Sequence, residues 1–174
     1  MTAVRYMRKP DVVRSLMRAV LRLLLIAIAL PAAAQDGELE NLDSFPRQSL
    51  TIDVGANGKK SLKFDVWLAD TPRRQAQGLM FVRSLPQKRG MLFVHEHPRP
   101  IGMWMKNTYI PLDMLFIDAE GRIQQIVENT TPHSLDVIRS NKPALAVLEI
   151  GGGEARRLAI KPGQTITHPA FNRR

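Results

Sequence analysis

The chain has no cysteine among its 174 residues. That excludes disulfides, thiolate metal sites, a cysteine nucleophile and a lipidated N-terminal cysteine, and it makes an oxidising compartment harmless to the fold. No apolar run reaches the roughly 20 residues needed to span a bilayer. Aromatic residues make up only 6% of the chain, and no basic stripe with aromatics between the charges occurs, so the usual footprint of a nucleic-acid binder is missing. Catalytic signatures are missing too. Gly151-Gly152-Gly153 lacks the Lys-Ser/Thr of a phosphate loop, His95-Glu96-His97 is not the zinc-protease pattern, and no G-x-S-x-G occurs. There is no internal repeat and no low-complexity segment.

Residues 1–34 read as an export leader. Arg5, Arg8, Lys9, Arg14, Arg18 and Arg22 precede the apolar run Leu23 to Leu30, and Ala32 and Ala34 give the small-x-small pattern of a signal-peptidase site. Cleavage is expected between Ala34 and Gln35, delivering the chain to the periplasm or beyond, with the membrane met only through the leader. The rival reading keeps the segment as an uncleaved anchor, and Met7 or Met17 is an alternative start. The leader carries six of the 25 basic residues and one of the 16 acidic ones. What remains has 19 basic against 15 acidic groups, a mild net charge of +4. A remainder of 174 − 34 = 140 residues suits one domain, able to bury close to ~68% of its unfolded surface without a staple.

Acidic residues crowd the start of that remainder, so 35–49 is expected to be a flexible N-terminal extension, 50–168 one compact domain, and 169–174 a tail. LTIDV alternates, GANGKK carries an Asn-Gly hairpin signal, and LKFDVWLA sends Leu62, Phe64, Val66 and Leu68 to one face. Thr71-Pro72 supplies an N-cap and a first-turn proline for a helix expected from about Pro72 to Arg83, stopped by Leu85-Pro86. GMLFV reads as a short buried strand, HEHPRP as an irregular loop, IQQIVEN as a strand, and ALAVLEI as a central strand. EARRLA makes a short second helical turn, Lys161-Pro162-Gly163-Gln164 has type II turn chemistry, and TIT is the closing strand. Many short strands with one clear helix and no βαβ rhythm predict an α+β, mostly β fold built on a curved or barrel-like antiparallel sheet.

Five of these segments carry a resemblance: GLMFVR at Gly78, GMLFV at Gly90, WMKNTYIPLDMLFID at Trp104, VLEI at Val147 and IKPGQ at Ile160. Together, over about Leu50 to Thr167, they resemble the uncharacterised family called domain of unknown function 192. The resemblance implies a compact β-rich fold and no established activity, so it brings no catalytic residues. Gln164 stands where many relatives have an acidic residue.

The candidate site is the stretch from Gly102 to Gly121, where polar residues interrupt an apolar sequence. If Met103 to Asn107 is extended, Met103, Met105 and Asn107 share one face and Trp104, Lys106 and Thr108 the other. Leu112, Met114 and Phe116 point together, and Asp113 points the opposite way with Leu115 and Ile117. A carboxylate so placed must reach the rim or find a donor, because burying it unpaired costs several kcal/mol. A turn at Tyr109 to Pro111 would bring Lys106 and Asn107 beside it. Glu149 is a second carboxylate on a greasy strand, sharing a face with Leu145 and Val147.

Three functional readings follow. Trp104, Lys106, Asn107, Asp113 and Glu149 line a shallow site for an unknown small molecule or envelope protein, or else they form a hydrogen-bond knot that pins strand register. Asp113 and Glu149 are an acid–base pair of a hydrolase-like enzyme, with Lys106 as electrostatic stabiliser and Trp104 as stacking platform. Met80, Met91, Met103, Met105 and Met114, with His95 and His97, bind Cu(I), although methionines at strand spacing are usually core. The preferred expectation is an exported binding or accessory domain without a cofactor, a resident metal or a nucleic-acid partner.

Overall fold

A computed structural model of the chain describes residues 39–55 and 60–171. The leader, its cleavage site and the Asn-Gly turn lie outside the described residues. Strand β1 (Arg47–Asp53) and strand β2 (Ser61–Ala69) pair antiparallel, with Leu50 opposite Phe64 and Ile52 opposite Leu62. Their alternation holds, since Leu62, Phe64, Val66 and Leu68 are buried and Lys63 is exposed.

Helix α1 (Pro72–Gln77) begins as expected, with the Thr71 hydroxyl accepting from the Arg74 N–H at 3.3 Å. It ends six residues before the expected Arg83. Gly78 turns the chain with φ of +52°, and Phe81 follows at +64°, so the backbone leaves the helix before Leu85-Pro86 can stop it.

Strand β3 (Arg89–Arg99) is longer than GMLFV, and this corrects the loop expected at HEHPRP. A register shift between Val94 and Arg99 accommodates the prolines on the exposed end. β3 pairs parallel to β2, with α1 in the connection. This βαβ unit has no counterpart in the sequence reading, because a six-residue helix leaves too little periodicity to announce it.

Two-residue strand β4 (Gly102–Met103) comes next, then β5 (Leu112–Ile117), β6 (Ile123–Val127), β7 (Ile138–Arg139), β8 (Ala144–Gly151), helix α2 (Glu154–Arg157) and β9 (Thr165–Thr167). Seven strands form one sheet in the order β6-β5-β8-β3-β2-β1-β9, and β4 pairs with β7 alone. ALAVLEI is central, as its continuous apolar run requires, and TIT closes the sheet against β1. The sheet curls into a half-barrel. Its edges meet at one end, where Ile123 N–H donates to Gln164 at 2.9 Å and Ile166 N–H donates to Gly121 at 2.7 Å.

Both faces of the sheet are covered. One core draws Leu50, Phe64, Leu115, Leu148 and Ile166 from across the sheet. The other packs Met91, Phe93, Met114, Phe116 and Val147 under Leu79, Ile101, Met105 and Phe45. The domain therefore starts before Leu50, contrary to the flexible extension expected over 35–49. β1 begins at Arg47, Phe45 is buried, and Glu40 exchanges two backbone hydrogen bonds of 2.7 Å with the Gln77 amide. The expected tail is likewise partly core, since Ala170 and Phe171 pack against the first cluster.

Candidate functional site

The zigzag expected from Met103 to Asn107 stops at Met103. Thr108 N–H donates to the Met105 carbonyl at 3.0 Å and Asn107 takes φ of +55°, so residues 104–108 make a turn, not a strand. Met105 and Thr108 point in and are buried, while Trp104 and Lys106 stay outside. The Lys106 ammonium sits 5.6 Å from the centre of the Trp104 ring. Asn107 clamps this turn to the one that follows α1, its carbonyl accepting from Phe81 N–H at 2.8 Å.

In β5 the face assignment holds, but both faces are buried. Leu112, Met114 and Phe116 enter one core, and Leu115 and Ile117 enter the other. Asp113 is fully buried. Neither Lys106 nor Asn107 reaches its carboxylate, which accepts backbone N–H groups instead: Asn129 at 2.8 Å and Gly153 at 2.9 Å on one oxygen, Ala155 at 2.8 Å on the other. Three charge-assisted bonds fill the acceptor capacity that burial would otherwise leave bare, and they tie β5 to the segment after β6 and to the start of α2. At Asp113 the residues make a structural knot.

Glu149 is the opposite case. It lies on β8 between Met91 of β3 and Met114 of β5, and only 4% of it is exposed. Its side chain has no hydrogen-bond or ion-pair partner among the described residues, and burial alone pushes its carboxyl up to about 8. Cross-strand registry sets Asp113 against Ile150 and Met114 against Glu149, which puts the two carboxylates on opposite faces of the sheet. That geometry denies them a shared reacting bond, so the expected acid–base pair is not assembled.

A cavity of about 60 Å³ opens beside Glu149. The end of α1 and the following turn wall it with Gln75, Gln77, Leu79 and Met80; Met103, Trp104, Lys106 and Thr108 supply the other side. The site thus brings together Trp104, Lys106 and Glu149 of the five expected residues, while Asp113 and Asn107 serve the frame around it. Sequence reasoning missed Gln75, Gln77, Leu79 and Phe93 as wall residues. Only the Gly78 that ends α1 in GLMF hinted that this segment turns back over the sheet.

The copper set does not converge. Met80 and Met103 line the Glu149 cavity, whereas Met91, Met105 and Met114 are buried core and the Met105 sulfur accepts from the Thr130 hydroxyl at 3.1 Å. His95 and His97 line a separate hollow with Asp70, Glu96 and Arg99. Burial, and then the charge of Arg99, holds His95 below the usual imidazole range. Among the described residues no group of three or more His, Asp or Glu side chains is placed to hold a metal ion.

Residues 53–168 match the family model described as DUF192, Uncharacterized ACR. No curated protein matches the chain. A crystal structure from Sinorhizobium meliloti 1021, of a protein provisionally labelled a transcription regulator, is similar at 40% identity and a TM-score of 0.70, covering 73% of this chain and 97% of that one. A protein of unknown function from Novosphingobium aromaticivorans DSM 12444 is similar at 36% identity and a TM-score of 0.69, covering 75% of this chain and 91% of that one. With the match spanning most of the curled sheet and the whole of the site, the chain belongs to the uncharacterised family called domain of unknown function 192.

Proposed function

We propose that this protein is an exported binding domain, released to the periplasm by cleavage near Ala34, whose site is the cavity floored by Glu149. One observation carries the reading: a buried carboxyl with no partner among the described residues faces an opening. Such a group is expensive to keep, and the Asp113 knot illustrates how this fold satisfies a carboxylate whose task is structural. Leaving Glu149 unsatisfied makes sense where a ligand completes it. Turnover is the weaker alternative, because the cavity is lined by one carboxyl and its other ionisable side chain, Lys106, stands exposed at the mouth. The regulator label of the Sinorhizobium relative stays with that protein, since the mild charge here gives no electrostatic reason to bind nucleic acid.

Native mass spectrometry of the protein taken from its own cell envelope tests both halves. The expected result is an N-terminus at Gln35 and a bound small molecule that is lost on Glu149→Gln and weakened on Trp104→Ala. An intact leader would overturn cleavage and release. A ligand retained by both variants, or a ligand-free protein, would overturn the site.

A further inference from the structure

We propose that the cavity takes a straight-chain primary ammonium group, its nitrogen against the Glu149 carboxylate and its alkyl stem along Met80, Met103 and Trp104. This rests on the binding-domain reading and names the chemistry of its ligand.

Most polar side chains of the cavity wall are already engaged. Gln75 already donates to the Val94 carbonyl at 2.7 Å. Gln77 uses both ends of its amide on the backbone of Glu40, and the Thr108 hydroxyl donates to the Lys106 carbonyl at 3.3 Å. The amide and hydroxyl donors of the wall are therefore committed, and the Lys106 and Trp104 donors stand at the exposed mouth; inside, the Glu149 carboxyl is left for a guest, an acceptor when ionised. A guest bringing N–H donors is complementary to that floor.

The rest of the wall selects the guest's other features. Leu79, Met80, Phe93 and Met103 are apolar, and aromatic faces and thioethers tolerate a cation where a bare hydrocarbon would not. Trp104 is already used in this way, with the Lys106 ammonium 5.6 Å from its ring centre. A volume of about 60 Å³ holds a few water-sized groups, which suits an ammonium head and its first carbons and disfavours a branched one.

Charge completes the picture. Glu149 faces Met91 and Met114 from the neighbouring strands and neutral side chains from α1; Lys106 at the mouth is the other charged group of the wall. Burial keeps the empty site's Glu149 protonated near neutral pH. Entry of an ammonium ion pairs with the carboxylate, and the carboxyl proton leaves to the buffer, one proton released for each guest bound. Lys106 opposes such a guest and would favour an anionic one.

Calorimetric titration of the whole chain with n-butylamine, n-butanol and butanoate, in buffers of different ionisation enthalpy, tests the assignment. The amine is expected to bind with proton release, to weaken at least about tenfold on Glu149→Gln, and to tighten a few-fold on Lys106→Met. A neutral glutamine replaces a neutral acid, so that variant should fold, which its thermal unfolding checks. Nα-acetyl-lysine amide binding as well as n-butylamine assigns the source to a lysine side chain of a partner polypeptide; preference for n-butylamine or 1,4-diaminobutane assigns a free amine. Equal or better binding of butanol or butanoate overturns the ammonium assignment and leaves the cavity a binding site. No binding of any of the three at tens of millimolar overturns both.

Discussion

Glu149 should make the domain less stable as pH rises, and by an amount large enough to measure. Its carboxyl is held near 8 in the folded protein against an ordinary value of 4.5, with burial as the cause. Between those values the folded state binds a proton that the unfolded state has released, so the slope of unfolding free energy against pH is negative. The contribution is flat below about 4.5, falls through the window, and flattens again above about 8. The full span is about 3.5 pH units at 1.36 kcal/mol each, or roughly 5 kcal/mol, and the part already lost at pH 7 is roughly 3 kcal/mol. Glu149→Gln removes the titrating group while keeping its shape. Urea unfolding of both proteins from about pH 4 to pH 9 should therefore show the variant gaining on the parent as pH rises, by a few kcal/mol at pH 7. Parallel curves would refute the reasoning, because a carboxyl with a partner or with ready access to water would not resist ionisation.

Asp113→Asn should destabilise the domain by roughly 3 kcal/mol in the same assay, since an amide NH₂ must then face one of the three backbone N–H groups the carboxylate accepts. A loss under about 1 kcal/mol would mean that the knot is dispensable. Gly90→Ala should cost roughly 3 kcal/mol and disturb the site as well, because a Cβ there overlaps the Glu149 carbonyl oxygen of the adjacent strand. Unchanged thermal unfolding of that variant would show that β3 and β8 can separate without penalty.

Much of the fold was legible because local chemistry and tertiary need coincide. The alternation of LKFDVWLA, the Thr71-Pro72 helix start and the all-apolar ALAVLEI each state how much of a segment is buried, and the folded protein uses them that way. Boundaries were less legible. Whether HEHPRP ends β3 depends on what lies beside it, and whether Phe45 is flexible extension or core depends on the segments that pack over it, Arg74 of α1 among them. The site was half legible. Sequence identified Asp113 and Glu149 as carboxylates on greasy strands, and in an alternating strand each could find a donor or lack one. Pairing registry put them on opposite faces, gave the first three backbone donors from distant segments, and left the second facing a cavity. The sequence alone thus determined the β-rich architecture, the absence of thiol chemistry and the residues under electrostatic stress. Only the tertiary structure decided which stress is relieved, because hydrogen-bond donors are brought to a buried charge by chain segments tens of residues away, and no local pattern encodes their arrival.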